Sequence, residues 1–338
     1  MQITETKRNS GFDFLRYVCA FLVISIHTQY FGKEYAMLFA RAAVPIFFMI
    51  TGYFYTSVSE RGRHIFQIRK ILIITVLSNL VYIIWELLSA MGSSGGIHTK
   101  FLSWIDASLW LNVLLTNDSP FRSHLWYLSA LLYVLIIALV IKNTRKKIYI
   151  FIPVLLGVNL LVGNYSTLIF GKALPLEYSR NFLFLGLPCF LLGDLIYQRR
   201  NAAQPGNRVL LLILSLSLVV SFSESFLLTR LGMYQNQDLS LGNIATAYAV
   251  FSLVKNNPAF FEHSLCRRIA WLGKNLSLGI YIFHPIIRTF TEAIIAYIGR
   301  LIPVINTICY YSMPIIMLIV DSCVIFVFLW VMKKLKKH

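Results

Sequence analysis

Apolar segments of helical length recur along the whole of this 338-residue chain, and each one ends in a polar or basic cluster. The hydrocarbon core of a bilayer is about 30 Å thick, so a helix needs roughly 20 residues to cross it. The pattern therefore predicts an all-α, polytopic membrane protein with about ten transmembrane helices in a single transmembrane domain, residues 1–338. The predicted spans are residues 12–31, 42–58, 71–91, 125–141, 148–163, 182–197, 209–228, 240–254, 276–298 and 306–332.

The composition excludes the main alternatives to a membrane protein. Charged side chains make up 13% of the chain, which is about half of the roughly 25% that is usual in soluble domains. Hydrophobic residues make up 57%. These values exclude a soluble globule, a disordered chain and a nucleic-acid-binding protein with a solvated basic face.

The net charge of +17 is explained by membrane topology. With ten spans, 21 of the 31 Lys and Arg residues fall on the side of the termini, 8 on the other side and 2 inside spans. Cytoplasmic loops carry the excess of Lys and Arg in membrane proteins, so both termini are predicted to be cytoplasmic. The sequence thus predicts a multi-pass protein of the cell (inner or plasma) membrane, with lipids and not nucleic acid as partners.

Some segments depart from the regular pattern. The predicted spans 148–163, 182–197 and 240–254 are short, and the last of them is the weakest of the ten. The apolar stretch 104–115 is interrupted by polar residues, which is typical of a helix that lies at the membrane interface or re-enters it. The five cysteines include no CxxC pair and the first span lacks a cleavage site, so no disulfide framework, metal site or signal peptide is expected.

Ionisable residues inside spans are costly, and they are functional candidates for that reason. In the first span Arg16 and His27 are eleven residues apart, which places them on one helix face about 16 Å from each other. A fixed cation near the inner end and an imidazole deeper along the same face indicate a ligand path. The alternative is that Arg16 extends to lipid phosphates and that His27 is a core histidine. Asp194 and Asp321 have no partner that the sequence suggests.

Four motifs, in order along the chain, resemble those of the acyltransferase-3 family of integral membrane acyltransferases. They are Arg16 followed after ten residues by His27, residues 44–53 (VPIFFMITGY), residues 124–128 (HLWYL) and residues 277–285 (SLGIYIFHP). The segments 180–188 and 224–228 further resemble a subgroup near polysaccharide O-acetyltransferases and the membrane domain of vancomycin-resistance serine racemases. No racemase domain follows in this sequence, which leaves open a stand-alone enzyme or a trimmed one.

The resemblance implies an acyl donor, acetyl-CoA, bound from the cytoplasm, and an acceptor hydroxyl or amine met on the outer side, with no metal. Arg16 is expected to hold CoA phosphates, with Arg69 and Lys70 as further contacts, because guanidinium groups pair phosphates bidentately. Ordinary anchoring by the positive-inside rule is the alternative for Arg69 and Lys70. The resemblance makes Arg16 and His27 the expected catalytic residues. His27 is the general base or carries the acyl group transiently, and Asp13 is expected to pair with Arg16.

Four residues at the outer ends of the fourth, sixth and seventh spans are expected to bind the acceptor through hydrogen bonds and aromatic stacking. They are His124, Trp126, Arg180 and Glu224. An interfacial aromatic belt is the alternative for Trp126, and an ion pair between helices is the alternative for Arg180 with Glu224.

The ninth span carries a polar stripe of its own. Tyr281, His284, Arg288 and Glu292 fall on one face of the helix. Arg288 and Glu292, four residues apart, are expected to neutralise each other. His284 is expected to shape the tunnel of the acyl-CoA donor beside Pro285, or to be structural.

The sequence therefore predicts a membrane O-acyltransferase that moves an acetyl group from cytoplasmic acetyl-CoA to an extracytoplasmic acceptor, an envelope polysaccharide hydroxyl. The main alternative is a transport domain for a small substrate such as serine. Intramembrane charges suit both functions, but the paired broken segments of many transporters are not evident. A binding or assembly protein with an inactive site is a third possibility, which the intact Arg16 and His27 disfavour.

Overall fold

The computed structural model describes residues 9–92, 96–233 and 239–335. All regular secondary structure in these ranges is helical. The α-helices are α1 Ser10–His27, α2 Lys33–Ala40, α3 Ala43–Glu60, α4 His64–Ala90, α5 Gly96–Ser103, α6 Ala107–Thr116, α7 Trp126–Val140, α8 Arg145–Ile148, α9 Ile152–Val162, α10 Ser166–Phe170, α11 Leu187–Gln198, α12 Asn207–Arg230, α13 Leu241–Asn256, α14 Ser264–Leu301 and α15 Val304–Leu335. A π-helix, Phe182–Gly186, leads directly into α11. The all-helical fold class is confirmed.

Seven helical segments of the described chain are long and apolar enough to cross a membrane. They are Ser10–His27, Lys33–Glu60, His64–Ala90, Ser123–Val140, Asn207–Arg230, Ser264–Leu301 and Val304–Leu335. Each of the ten predicted spans contains a helix, but the fifth, sixth and eighth coincide with shorter ones: α9, Phe182–Gln198 and α13. The count of ten and the side of the termini stay predictions, and residues 1–8 and 336–338 lie outside the described ranges.

The ends of α1 follow from local hydrogen bonding. The side chain of Asn9 caps its N-terminus by accepting from the backbone N–H of Gly11 at 2.9 Å. At the other end Thr28 adopts an extended conformation while its N–H still donates to Ile24. The helix therefore ends at His27, four residues before the predicted end of the first span. Gly32, with φ of 75°, then starts α2, a short helix that the hydropathy pattern did not indicate.

The described chain forms two compact units, each assembled from separate segments. The first unit comprises residues 9–47, 205–222 and 242–335. The second comprises the described residues of 48–204 and 223–241. Helices α3 and α12 contribute residues to both units.

In the first unit α1 packs directly against α14. A Cβ atom on Gly273 would lie 1.9 Å from the carbonyl oxygen of Asp13, so the two backbones meet where α14 has no side chain. Small residues allow this approach in membrane bundles, where van der Waals packing replaces the hydrophobic effect as the main attraction. The apolar core above this contact is formed by α1, α14 and α15 and includes Ile24, Ile280 and Met317.

In the second unit α3 and α11 make two such contacts. A Cβ atom on Gly52 would lie 1.9 Å from the carbonyl oxygen of Phe190, and one on Gly193 would lie 2.0 Å from that of Met49. Each helix thus offers a glycine to the backbone of the other. The crossing leaves no room for a side chain on either glycine.

We expect Gly52→Ala to lower the melting temperature of the detergent-solubilised protein, because overpacking of this kind costs about 1–3 kcal/mol or more. Gly157→Ala is the matched control, since a methyl group on that helical glycine would meet nothing within 4 Å. Alanine there should be neutral or stabilising by about 0.5–1 kcal/mol. Equal melting temperatures for the two variants in a thermal unfolding assay would contradict the close crossing.

Candidate active site

Two imidazole rings face each other in the first unit. His27 is the last residue of α1, and its ring centroid lies 5.0 Å from that of His284 on α14, with the ring planes tilted by 38°. His27 is half-buried, whereas His284 is only 1% exposed. The sequence placed His284 beside a donor tunnel, and the structure brings it against the predicted catalytic histidine.

Arg288, one turn beyond His284, fixes the backbone at this point. Its guanidinium Nη1 donates a hydrogen bond to the main-chain carbonyl of His27. A cation at the C-terminus of a helix also interacts favourably with the helix dipole. The predicted pair with Glu292 is confirmed, at 3.6 Å between Nε and Oε1. The sequence indicated that pair but not the contact with α1.

Arg16 lies at the other end of the same face of α1. Its Nη1 lies 2.6 Å from Oδ1 of Asp13, so the predicted pair is confirmed. Asp13 is buried while Arg16 keeps 30% of its side chain exposed. The pair sits where Gly273 meets the α1 backbone. Asp13 can thus position the guanidinium and leave part of it accessible to an anionic ligand.

Asp321 on α15 is a further acidic residue of the first unit. It is fully buried, and neither carboxylate oxygen makes a hydrogen bond to the described residues. The neighbouring Ser322 shares a hydrogen bond of 2.9 Å with the hydroxyl of Tyr17. Asp321 thus differs from the buried carboxylates Asp13 and Asp194, which both have cationic partners.

The predicted acceptor residues all belong to the second unit. His124 is buried, with its ring edge-on to Tyr82 at 5.0 Å between centroids. Trp126 begins α7, and its carbonyl accepts from the side chain of Asn117 at 3.2 Å. Asn117 has φ of 58° and accepts from the N–H of Phe182 at 2.6 Å. This asparagine therefore joins the start of α7 to the start of the π-helix.

Glu224 is buried and bound by residues of its own unit. It accepts from Asn164 at 3.4 Å, from the backbone N–H of Leu241 at 2.8 Å and from the hydroxyl of Tyr165. Burial, followed by the charge of Glu224, raises the pKa of Tyr165 to about 12, so that phenol stays protonated at neutral pH. Glu224 is thus held in place by three donors.

Arg180 is half-buried and follows a short 3-10 helix, Leu176–Tyr178. Burial raises the pKa of Asp118 in the adjoining loop, and the positive charge of Arg180 acts in the opposite direction. The side chains of Arg69 and Lys70 are exposed on the first turns of α4. The structure gives neither of these two residues a described partner that would indicate a donor site.

A buried ionic network in the second unit was not indicated by the sequence. Asp194 is fully buried and lies 2.8 Å from Nε of Arg145, which is 8% exposed. Thr56 and Tyr149 donate to the same carboxylate, each at 2.6 Å. Thr56 also accepts from Arg145 and from Gln198, each at 3.1 Å. Partners 49 and 138 residues away from Asp194 leave no local spacing that could have revealed the network.

Glu86, near the end of α4, is a second acidic centre of this unit. Its carboxylate lies 2.7 Å from Nζ of Lys100 and 3.5 Å from Nε of Arg122. A shallow pocket of about 340 Å³ beside it is lined by the Lys100 side chain and hydroxyl residues such as Ser89 and Thr99. The structure thus gives Glu86 two cationic partners.

The chain belongs to the acyltransferase-3 family. The family model, described as an acyltransferase domain, matches residues 9–333 and therefore nearly the whole chain. The family resemblance drawn from the four motifs is confirmed. No solved structure matches the chain.

Curated relatives include amino-acid racemases. One from Enterococcus faecalis is 25% identical over 321 residues, which is 86% of this chain and 42% of the relative. A serine/alanine racemase from Enterococcus gallinarum is 25% identical over 304 residues, 82% of this chain and 40% of the relative. The chain thus spans about two fifths of the length of the curated relatives that it matches.

Asp194→Asn should destabilise the protein strongly, because it leaves the guanidinium of Arg145 buried without a countercharge, at a cost of about 3–5 kcal/mol. Asp106→Asn is the control, since that exposed carboxylate caps α6 and asparagine caps equally well. Thermal unfolding in detergent measures both variants. The double variant Arg145→Met with Asp194→Leu should recover much of the loss, and a single variant that melts like the wild type would contradict the assigned network.

Proposed function

We propose that this protein is a membrane O-acyltransferase that moves an acetyl group from acetyl-CoA, bound from the cytoplasm, to an extracytoplasmic hydroxyl, that of an envelope polysaccharide. Membership of an acyltransferase family supports the reaction class. The observation that carries the proposal is the pair of facing imidazoles, His27 and His284, at the end of a candidate membrane span. Imidazole suits acyl transfer because its ordinary pKa lies near neutral pH.

In this proposal His27 is the general base. It takes the proton from the acceptor hydroxyl while the hydroxyl oxygen attacks the thioester carbonyl carbon, and the carbon–sulfur bond then breaks. The CoA thiolate that leaves takes up the proton, so the products are the acetyl ester and free CoA. Its half-buried position lets His27 touch a substrate, which the buried His284 behind it does less readily. An acyl group carried transiently on His27 is the variant of this mechanism that the sequence left open.

Arg16 is the proposed contact for the phosphates of the donor. Its pairing with Asp13 orients the guanidinium without enclosing it, and eleven residues of α1 separate it from His27 by about 16 Å. The phosphates and the thioester of CoA are joined by a long, flexible arm. A separation of about 16 Å between Arg16 and His27 therefore suits a donor whose phosphates lie at Arg16 and whose thioester lies at His27. Arg69 and Lys70 are further proposed phosphate contacts, on their sequence position alone.

The acceptor contacts proposed for the second unit are His124, Trp126, Arg180 and Glu224. Trp126 and Arg180 are half-buried and so keep surface for a ligand. His124 and Glu224 are buried and held by Tyr82 and by three donors, which suits a role in shaping the site. A sugar would use the aromatic face of Trp126 and the charge of Arg180.

Transport of a small substrate such as serine is the second candidate. The observation that favours it is the similarity to proteins named as amino-acid and serine/alanine racemases. Proteoliposomes loaded with this protein and given radiolabelled serine distinguish the two functions. Uptake of serine without any acetyl transfer would replace the proposed function by transport.

His27→Ala should lower the rate of acetyl transfer by about 100-fold or more, as expected for loss of a general base. The assay uses purified protein in detergent or bilayers, radiolabelled acetyl-CoA and candidate envelope glycans. His98→Ala, an exposed histidine on α5, is the control and should keep the wild-type rate. Near-normal turnover by a folded His27→Ala variant would rule out the assigned role.

Arg16→Gln should raise the KM for acetyl-CoA by about tenfold or more, because a charged hydrogen bond contributes about 1.5–3 kcal/mol. The KM for the glycan should stay unchanged, and Arg16→Lys should restore part of the donor affinity. Arg300→Gln, at an exposed position in the last turn of α14, is the control. An unchanged donor KM for Arg16→Gln would count against a phosphate contact.

A further inference from the structure

Pro285 lies inside α14 and removes one backbone donor from the helix. Residue 285 of a regular helix would donate its N–H to the carbonyl oxygen of Tyr281, four residues earlier. Proline has no N–H, so it cannot make that bond. In this structure Nδ1 of His284, the residue before the proline, lies 2.9 Å from the same oxygen and 3.2 Å from that of Ile280.

This contact selects one tautomer of the His284 ring. A backbone carbonyl oxygen only accepts hydrogen bonds, so Nδ1 has to be the donor and carry the hydrogen. A neutral imidazole has one N–H, and Nε2 therefore presents a lone pair. The bond partner of one ring nitrogen thus decides the chemistry of the other.

The Nδ1 edge of the His284 ring is turned back to the backbone of α14, which leaves Nε2 on the ring edge away from that backbone. His284 follows Gly273 by eleven residues and so shares its helix face, the face that meets α1 at Asp13. The ring on that side is His27, with 5.0 Å between the centroids. The structure records this tilted ring contact and, among the described residues, no hydrogen bond on Nε2 itself. An edge-on N–H···N bond between imidazoles would space their centroids by about 5 Å as well, so a reorientation of the rings at this separation is enough to form it.

We propose that residues 281–285 form a tautomer lock for His27, a role that rests on the proposed function and deepens it. Pro285 leaves the Tyr281 carbonyl to Nδ1–H of His284, and Nε2 of His284 is the atom that accepts from an N–H of His27 once the two rings align for the reaction. The other nitrogen of His27 then carries the lone pair that takes the acceptor proton. His284 and Pro285 are positioning residues, and His27 alone meets the substrate.

The lock also explains how the reaction proceeds without any proton transfer to His284. When His27 takes the hydroxyl proton, both of its nitrogens carry hydrogen, and the Nε2 lone pair of His284 stabilises the resulting imidazolium. The proton then passes from His27 to the CoA thiolate. This is the base-with-orienting-partner arrangement of other acyl-transfer sites, with an imidazole in the place of a carboxylate.

Nitrogen-15 NMR of the histidine-labelled protein in lipid bilayers tests the lock without any substrate. The signal of His284 is assigned by its loss in His284→Asn, whose amide can still donate to the Tyr281 carbonyl. We expect the Nδ1–H tautomer in the wild type and a shift towards the Nε2–H form in Pro285→Ala, which restores the competing backbone N–H. A wild-type His284 in the Nε2–H form, or an unchanged tautomer in Pro285→Ala, overturns the proposal.

Steady-state kinetics distinguish a positioning role of His284 and Pro285 from a purely structural one. Pro285→Ala and His284→Asn should lower kcat by about tenfold or more, as loss of an orienting partner does elsewhere, with the KM for acetyl-CoA unchanged. Pro314→Ala, at a proline inside α15 of the first unit, is the matched control and should alter neither the tautomer nor kcat. Equal losses in kcat for Pro285→Ala and Pro314→Ala would make the proline structural and refute the lock.

The same experiments distinguish a failure of the acetyl-transfer function from a failure of the tautomer lock. If the wild-type protein transfers no acetyl group to any glycan or other hydroxyl, yet Pro285→Ala shifts the His284 tautomer, the proposed function is refuted and the geometry of the lock is upheld. If the wild-type protein transfers acetyl groups and Pro285→Ala leaves the tautomer unchanged, the lock is refuted and the proposed function stands. Melting temperatures confirm that each variant is folded.

Discussion

The contact between α1 and α14 at Gly273 is the constraint on which the candidate active site depends. The absence of a side chain lets the α14 backbone reach the carbonyl of Asp13. Eleven residues lead from Gly273 to His284, and eleven lead from Arg16 to His27 along the neighbouring helix. The two helices are in contact where Gly273 meets the α1 backbone near Arg16. Because they run in the same direction, both imidazoles lie together about 16 Å further along. A bulkier residue at position 273 would push the two helices apart. The imidazole rings would then separate, and Arg288 would lose its hydrogen bond to the His27 carbonyl.

Buried charge is handled by pairing inside each unit. Asp13 with Arg16 in the first unit, and Asp194 with Arg145 in the second, are ion pairs in which the acid is the more deeply buried partner. An uncompensated charge in a low-dielectric interior is far more costly than a paired one. Asp13 lies three residues from its partner on the same helix, while Asp194 is brought to Arg145 by the tertiary fold. The same physical demand is thus met locally in one case and over a long range in the other.

Much of the helical organisation could be predicted because hydropathy is a local property. Each predicted span contains a helix, and the shared face of Arg16 and His27 follows from helix periodicity alone. The family motifs were equally readable, since the family model matches nearly the whole chain. The end of α1 at His27 was missed because no glycine or proline lies between His27 and Gly32 to mark it in the sequence, and the extended backbone of Thr28 stops the helix. The short helix α2 was missed because a glycine in the left-handed conformation starts it.

The sequence by itself determined that the chain is a membrane acyltransferase-family protein, that Arg16 and His27 share a helix face, and that Arg16 and Asp13 pair. These follow from spacings within single helices, where the geometry of 3.6 residues per turn is fixed. Only the tertiary structure decided that His284 faces His27, that Arg288 binds the end of α1, and that Arg145 neutralises Asp194. Those contacts depend on which helices pack together and on their relative positions along the helix axes. The close backbone crossings at glycines fix both the partners and these positions.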